Sequence, residues 1–365
     1  MRAAVLRETG RPLSVEDVEL ADPGPGEVTV RLAASGVCHS DWNVVTGATS
    51  NPLPAVLGHE GAGVVEAAGA GVTEVAEGDH VILSWLPACG KCFYCVAGRG
   101  VLCDVAMADM FEGTLPGGTL ALSQNGESLY HYSYLSTFAE RCVVPESCCV
   151  PVRRDAPLAV AALVGCAVMT GVGAAVLRAR VAPGSAAVVY GAGGVGLSAI
   201  LGCKLAGART IVAADPVAFK RETALALGAT HALDPSAEDV PAALRELTDG
   251  RGADYAFDTA GAPGVVAQAY GAVRRGGTVV AVGIPPEGAT ADLPAPALPR
   301  EEKVVTGSFY GSCRPRVDMP LVVDLYMEGR LDLDALVSRT YPLDEINEAF
   351  AAMNGGEVAR AVIGF

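Results

Sequence analysis

The run Ala186-Ala-Val-Val-Tyr190 followed by Gly191-Ala-Gly193-Gly194-Val195-Gly196 leaves few folds open to this chain. A short apolar segment that ends in glycines and continues as a helix-forming stretch to about residue 206 reads as strand, tight turn and helix. Gly191, Gly193, Gly194 and Gly196 permit the turn, the approach of a pyrophosphate to the backbone and close packing of the helix. The phosphates then sit at the helix amino end. The next apolar segment, TIVAA (210–214), ends at Asp215. That is about twenty residues beyond the glycines, the place from which a carboxylate bonds ribose hydroxyls. A 2′-phosphate would meet the Asp215 charge, so the pattern favours NAD over NADP.

From residue 168 onward strand and helix patterns alternate, through FKRETALALGA (219–229), DYAFDTAG, GGTVVAVGI and KVVTGSFYG. Short apolar strands separated by amphipathic helices imply a doubly wound parallel sheet, that is, an α/β Rossmann domain. The first third is different. EVTVRLAASGV (27–37), GAGVVEAAGAGV (61–72) and GDHVILSW (78–85) are β-rich segments broken by Gly and Pro. Residues 108–136 read as a long surface excursion, and the tail from 311 as helical with a final strand, ARAVIGF. The expected division is a catalytic domain over 1–167, a nucleotide domain over 168–310, and a return to the first over 311–365. The formal net charge of −15 argues against a nucleic-acid partner, because nothing would neutralise phosphates. No charge falls between Ala156 and Leu177, but Pro157, Cys166 and Thr170 interrupt an Ala/Gly/Val run. We expect a buried soluble segment there rather than a membrane helix, and a cytoplasmic protein whose eleven cysteines are reduced.

Reduction bears on Cys89-Gly-Lys-Cys92-Phe-Tyr-Cys95 and Cys103, a CxxCxxCx7C loop. Thiols two residues apart converge on one ion more readily than they pair as disulfides, so the loop favours a metal. A second constellation is scattered: Cys38-His39-Ser40-Asp41 after a strand, His59-Glu60 after a turn, and Cys166 ahead of the nucleotide domain. Two thiolates and an imidazole give three ligands and leave a fourth position open, as in a catalytic zinc, and their charge cancels that of Zn²⁺. Taken singly, Cys38 and Cys166 also fit buried small hydrophobes, and His59 a core histidine.

The motifs CHSD, GHEGAG, the four-cysteine loop, the Cys166 segment and GAGGVG occur in an order that resembles the zinc-containing medium-chain alcohol dehydrogenases, from residue 1 to residue 365. The resemblance implies a GroES-like catalytic domain and two zinc ions per chain: a catalytic one on Cys38, His59 and Cys166, and a structural one on Cys89, Cys92, Cys95 and Cys103. It implies that Ser40 touches the substrate oxygen and starts a proton relay, that Asp41 orients His59, and that Glu60 stands beside the metal. His39 and Arg360 match positions at the pyrophosphate, Lys220 one near the ribose, and Thr170 and Val195 positions against the nicotinamide. Thr49, Trp85, Tyr132 and Phe309 match the substrate channel. The function so implied is hydride transfer between NAD and a primary alcohol or aldehyde, by a homodimer.

Two positions depart from relatives. Asn43 stands where many end the relay in a histidine, and Thr49 and Met107 stand where glutathione-dependent formaldehyde dehydrogenases place an acid and an arginine. A thiol-adduct aldehyde dehydrogenase of the same fold, and a zinc and nucleotide-binding protein without activity, are the alternatives. His80, His131 and His231 show no ligand-like company, and Cys142, Cys148, Cys149, Cys203 and Cys313 read as core or surface thiols.

Overall fold

All five residues of Ala186–Tyr190 are buried, as are four of the five in Thr210–Ala214, so these strands are covered on both faces. Apolar runs of this kind are the interior of a parallel sheet. The computed structural model describes residues 1–286 and 288–365, and the chain packs as two compact units.

The second unit comprises Ala167–Cys313 and Arg330–Leu336. Its six-stranded sheet runs in the spatial order His231–Leu233, Thr210–Ala214, Ala186–Tyr190, Ala253–Asp258, Val273–Ala281, Val304–Gly307, parallel throughout. Strand order reverses beside Ala186–Tyr190, which places the glycine turn at the switch point of a Rossmann sheet. The helix Gly194–Leu205 follows at once. A side chain at Gly196 would collide with the Gly191 carbonyl, so the helix can sit this close to the strand only with glycine there. Val188, Val212, Leu244, Ala256 and Val279 form the core on one face of the sheet.

The first unit comprises Met1–Cys166, Arg314–Gly329 and Val337–Phe365. Its main sheet is built on Glu27–Gly36, which pairs with Glu60–Ala68, Arg141–Pro145 and Arg360–Gly364. The last of these carries the chain's C-terminal strand into the middle of the N-terminal sheet. Leu6, Val37, Leu57, Phe138, Ile346, Phe350 and Ile363 pack together across this unit, binding the returning tail to it.

Three details differ from the sequence reading. Residues 330–336 join the nucleotide unit instead of the returning tail, with Leu331, Leu333 and Leu336 buried. The excursion 108–136 contains a hairpin, Leu122–Gln124 with Glu127–Leu129, turning on Asn125 and Gly126 at φ 50° and 82°. Asn-Gly between short strands is the sequence signal for such a turn. Val337–Pro342 is also a strand, parallel to Arg360–Gly364. The apolar run continues as one helical stretch, Leu158–Ala179, long and apolar enough to cross a bilayer, yet 78% of its apolar window is buried within the protein.

Candidate active site

Cys38 ends the stretch after Glu27–Gly36 and precedes the helix His39–Thr46. Register then does the assembling: Gly36 pairs with Glu60, so the two strands bring the Cys38 and His59 segments side by side. Gly58, at φ 93°, makes the turn into His59; a Cβ there would press on the Phe138 amide. Cys166 comes from the π-helical turn Val164–Val168, a local widening that occurs often at functional sites. Together Cys38, His59, Glu60 and Cys166 present one donor atom each, all within 4.8 Å of one another and all from the first unit.

Asp41 fixes the imidazole. Its Oδ1 accepts from His59 Nδ1 at 3.1 Å and from the Gly58 amide at 3.0 Å, which leaves Nε2 as the atom free to ligate. The Cys166 hydrogen bond, working against burial, holds the Cys38 thiol well below its ordinary value, with help from His59. Cys38 and burial in turn hold Cys166 well above it. Burial opposes charge on His59, but Asp41 and Cys38 outweigh it and raise the imidazole well above the usual range. These groups compete for protons because they are crowded, dry and short of positive charge. A divalent cation relieves that crowding by deprotonating both thiols.

Glu60 supplies a second sign that the site suits a cation. One oxygen pairs with Arg360, while buried Oε1 has no hydrogen-bond partner among the described residues, and the same holds for Asp41 Oδ2. Burial pushes the Glu60 carboxyl upward while Arg360 pulls it back. The residues thus fit a zinc ion. Ser40 Oγ lies 3.7 Å from Cys38 Sγ and is half-buried, so it sits beside the cluster with a route to water.

Cys89, Cys92, Cys95 and Cys103 converge in the same way, their donor atoms within 4.8 Å of one another. Cys89 Sγ and Cys95 Sγ are 4.0 Å apart, too far for a disulfide and close to the ~3.8 Å separating thiolates around tetrahedral zinc. Backbone amides of Lys91 and Cys92 lower Cys89 to about 6, whereas burial raises Cys95 to about 12. All eleven cysteines are free thiols.

In the second unit the helix Gly194–Leu205 has no side-chain cap, so its leading amides face the glycine turn unclaimed by its own residues. A Cβ at Gly193 would meet nothing within 4 Å. This is a cradle for phosphate. Asp215 Oδ2 accepts from the Ala192 amide at 2.7 Å and Oδ1 from the Val217 amide at 2.8 Å, an anchoring role that the sequence reading missed. Each oxygen keeps a lone pair for a ribose hydroxyl. Thr170 and Val195 lie on helices that pack together, and Lys220 is on the helix Ala218–Leu227.

The remaining candidates are placed as follows. His39 is exposed on the first turn of its helix. Arg360 is bonded to Glu60 and only 5% exposed. Trp85 and Thr49 are half-buried in the first unit, and the Thr49 amide donates to the Asn43 carbonyl. Tyr132 is buried, with its hydroxyl 3.2 Å from the Ser40 carbonyl oxygen. Phe309 belongs to the nucleotide unit.

An uncapped glycine cradle on a Rossmann sheet, with a two-thiol, one-imidazole cluster beside a serine hydroxyl, defines a metal-dependent dehydrogenase. Residues 24–154 match the alcohol dehydrogenase GroES-like domain and residues 194–328 the zinc-binding dehydrogenase domain. The chain is 42% identical over 365 residues to the NDMA-dependent alcohol dehydrogenase of Amycolatopsis methanolica, covering 99% of this chain and 98% of that one. It is 41% identical over 374 residues to the alcohol dehydrogenase class-3 of Cereibacter sphaeroides, covering 100% and 99%. The crystal structure of benzyl alcohol dehydrogenase from Acinetobacter calcoaceticus matches with a TM-score of 0.95 at 36% identity, covering 100% and 99%. The chain belongs to the zinc-containing medium-chain alcohol dehydrogenase family. It is a zinc-dependent oxidoreductase that acts on small alcohols or aldehydes with a nicotinamide cofactor.

Proposed function

We propose that this enzyme interconverts primary alcohols and aldehydes with NAD, carrying two zinc ions per chain. The observation that carries the proposal is the cluster of Cys38, His59 and Cys166 with Ser40 Oγ beside it. Zinc held there supplies a Lewis acid that lowers the pKa of an alcohol hydroxyl. A nicotinamide held at the glycine turn by the Gly191–Gly196 segment would supply the hydride acceptor. Ser40 accepts the hydroxyl proton and passes it towards water, since Asn43 cannot titrate. Asp41 keeps His59 in one tautomer and orientation throughout. Glu60 and Arg360 stay paired, adding no net charge to the pocket. Trp85 narrows the space beside the reacting carbon and so favours primary over secondary substrates. His39 serves the pyrophosphate, together with Arg360, which keeps Glu60 on Nη2 and has a buried Nε with no partner among the described residues. Lys220 serves the ribose, and Thr49, Tyr132 and Phe309 the substrate channel.

NAD is preferred because the Asp215 carboxylate sits where a 2′-phosphate would go. Arg221 does not compensate: its Nη1 donates to the Asp215 carbonyl at 2.7 Å and pairs with Asp234 at 3.2 Å. We expect kcat/KM with NAD to exceed that with NADP by about a hundredfold or more in steady-state assays. Parity between the two would refute the assignment.

A homodimer is supported by the edge strand Val304–Gly307, whose Val304 and Val305 are exposed. The free thiols support a cytoplasmic setting, and the net charge of −15 speaks against nucleic-acid partners. The second reading is a thiol-adduct aldehyde dehydrogenase. Favouring it is a relative named S-(hydroxymethyl)glutathione dehydrogenase, from Paracoccus denitrificans, at 39% identity over 371 residues. Thr49 and Met107 offer no charge to grip a tripeptide thiol, so formaldehyde oxidation should not depend on glutathione.

A further inference from the structure

Beside the metal cluster runs a strap, residues 131–137, of which the reaction described above uses only the Tyr132 side chain, in the substrate channel. Ser133, Tyr134 and Ser136 hold φ of 50°, 63° and 59°, a left-handed conformation that non-glycine residues keep only where their surroundings impose it.

His131 imposes much of it. The residue is fully buried, its amide donates to the Gly113 carbonyl at 2.7 Å, and its carbonyl accepts from Asn51 Nδ2 at 3.3 Å. Nε2 accepts from the Ala121 amide at 3.1 Å, so Nδ1 carries the proton and donates to Ser136 Oγ at 3.2 Å. The same Oγ accepts from the Tyr132 amide at 3.3 Å. With every polar atom engaged, His131 is a structural pin and the strap has one shape.

Each end of that shape touches a different ligand set. The Tyr134 hydroxyl donates to the Ala106 carbonyl at 2.9 Å, and the Ala106 amide lies 3.5 Å from Cys103 Sγ, in the four-cysteine lobe. The Tyr132 hydroxyl donates to the Ser40 carbonyl at 3.2 Å, and its ring stands edge-on to His59, centroids 5.6 Å apart at 81°. The strap then leaves along the Gly58 carbonyl, which accepts from the Thr137 amide at 2.9 Å.

We propose that Tyr132 and Tyr134 are positioning residues through which the four-cysteine lobe sets the orientation of His59 and Ser40. The lobe thereby serves turnover as well as folding. The inference rests on the roles given above to Ser40 and His59. Spatial continuity alone does not establish coupling, so the test measures coupling directly.

The experiment compares fully metallated wild type with Tyr134→Phe, Tyr132→Phe and the double variant. It measures kcat and KM for benzyl alcohol with NAD, well below every melting temperature, and amide hydrogen exchange over 38–42. Tyr134→Phe deletes one hydroxyl that touches neither Ser40 nor His59, yet kcat should fall about fivefold with little change in KM. Exchange over 38–42 should quicken in Tyr134→Phe. The double variant should be no worse than the poorer single one, because both hydroxyls act on one strap. Full kcat with unchanged exchange in Tyr134→Phe, or losses that multiply in the double variant, would overturn the proposal. Wild type without turnover would count against the alcohol reading instead, and exchange would still report whether the strap couples the two sites.

Discussion

Cys38→Ala should lower kcat for alcohol oxidation by about three orders of magnitude or more, while the protein remains folded. Two thiols serve this cluster among the described residues, and a divalent ion left with one thiolate and one imidazole has lost both affinity and charge balance. Three orders of magnitude is about 4 kcal/mol of transition-state stabilisation, within what a Lewis acid supplies. Elemental analysis should fall from two zinc ions per chain to one, because the four-cysteine lobe is separate. The contrast with Cys92→Ala makes the test sharp. That change removes a partly exposed thiol of the proposed structural site and should act on folding first. Cys38→Ala with kcat within tenfold of wild type would remove the cluster from the chemistry.

The second large effect concerns stability. Arg360 and Glu60 are both buried, 5% and 0% exposed, and each is the other's ion-pair partner. Arg360→Ala leaves a buried carboxylate without its counter-charge, which costs about 3–5 kcal/mol. Urea denaturation should show the loss, and Arg360→Lys should recover part of it by restoring charge without the planar fork. The pH dependence has a definite sign. Burial raises the folded-state Glu60 carboxyl above its unfolded value, so folded protein binds more protons than unfolded between the two. The deficit of Arg360→Ala is therefore largest at neutral and alkaline pH and shrinks as pH falls. A deficit that grows on acidification would mean that Glu60 is not the group left exposed to burial.

The sequence exposes those features whose physics is local. Ala186–Tyr190 and Thr210–Ala214 can be read to the residue because strands buried on both faces are uninterrupted apolar runs closed by glycine or aspartate. The four-cysteine lobe is equally legible, since its ligands fall within fifteen residues and need no tertiary contact to be grouped. Cys38, His59 and Cys166 are not local. Their meeting depends on Gly36 pairing with Glu60 and on the π-turn that carries Cys166. Their residue types suggest a three-ligand zinc site, but taken singly each also fits a buried core residue, and the resemblance to a family decides between the two. Three of the features not read from the sequence escaped it for different reasons. The Asn125-Gly126 hairpin carries a plain turn signal inside a segment that otherwise reads as a long surface excursion. Val337–Pro342 mixes polar and apolar residues without clear alternation, so its pairing is visible only beside Arg360–Gly364. His131 lacked ligand-like neighbours in sequence, and its bonds to Gly113, Ala121, Asn51 and Ser136 span up to eighty residues.

The central claim is that zinc at Cys38, His59 and Cys166 is required for oxidation of a primary alcohol by NAD. The direct measurement is NADH formation from benzyl alcohol by wild-type protein with two zinc ions, by protein from which chelation has removed the Cys38-site ion, as shown by elemental analysis, and after zinc is returned. The account predicts turnover in the first state, loss in the second with the fold intact, and recovery in the third. Undiminished turnover in protein shown to lack the Cys38-site zinc, or none in protein shown to hold both ions, would contradict it.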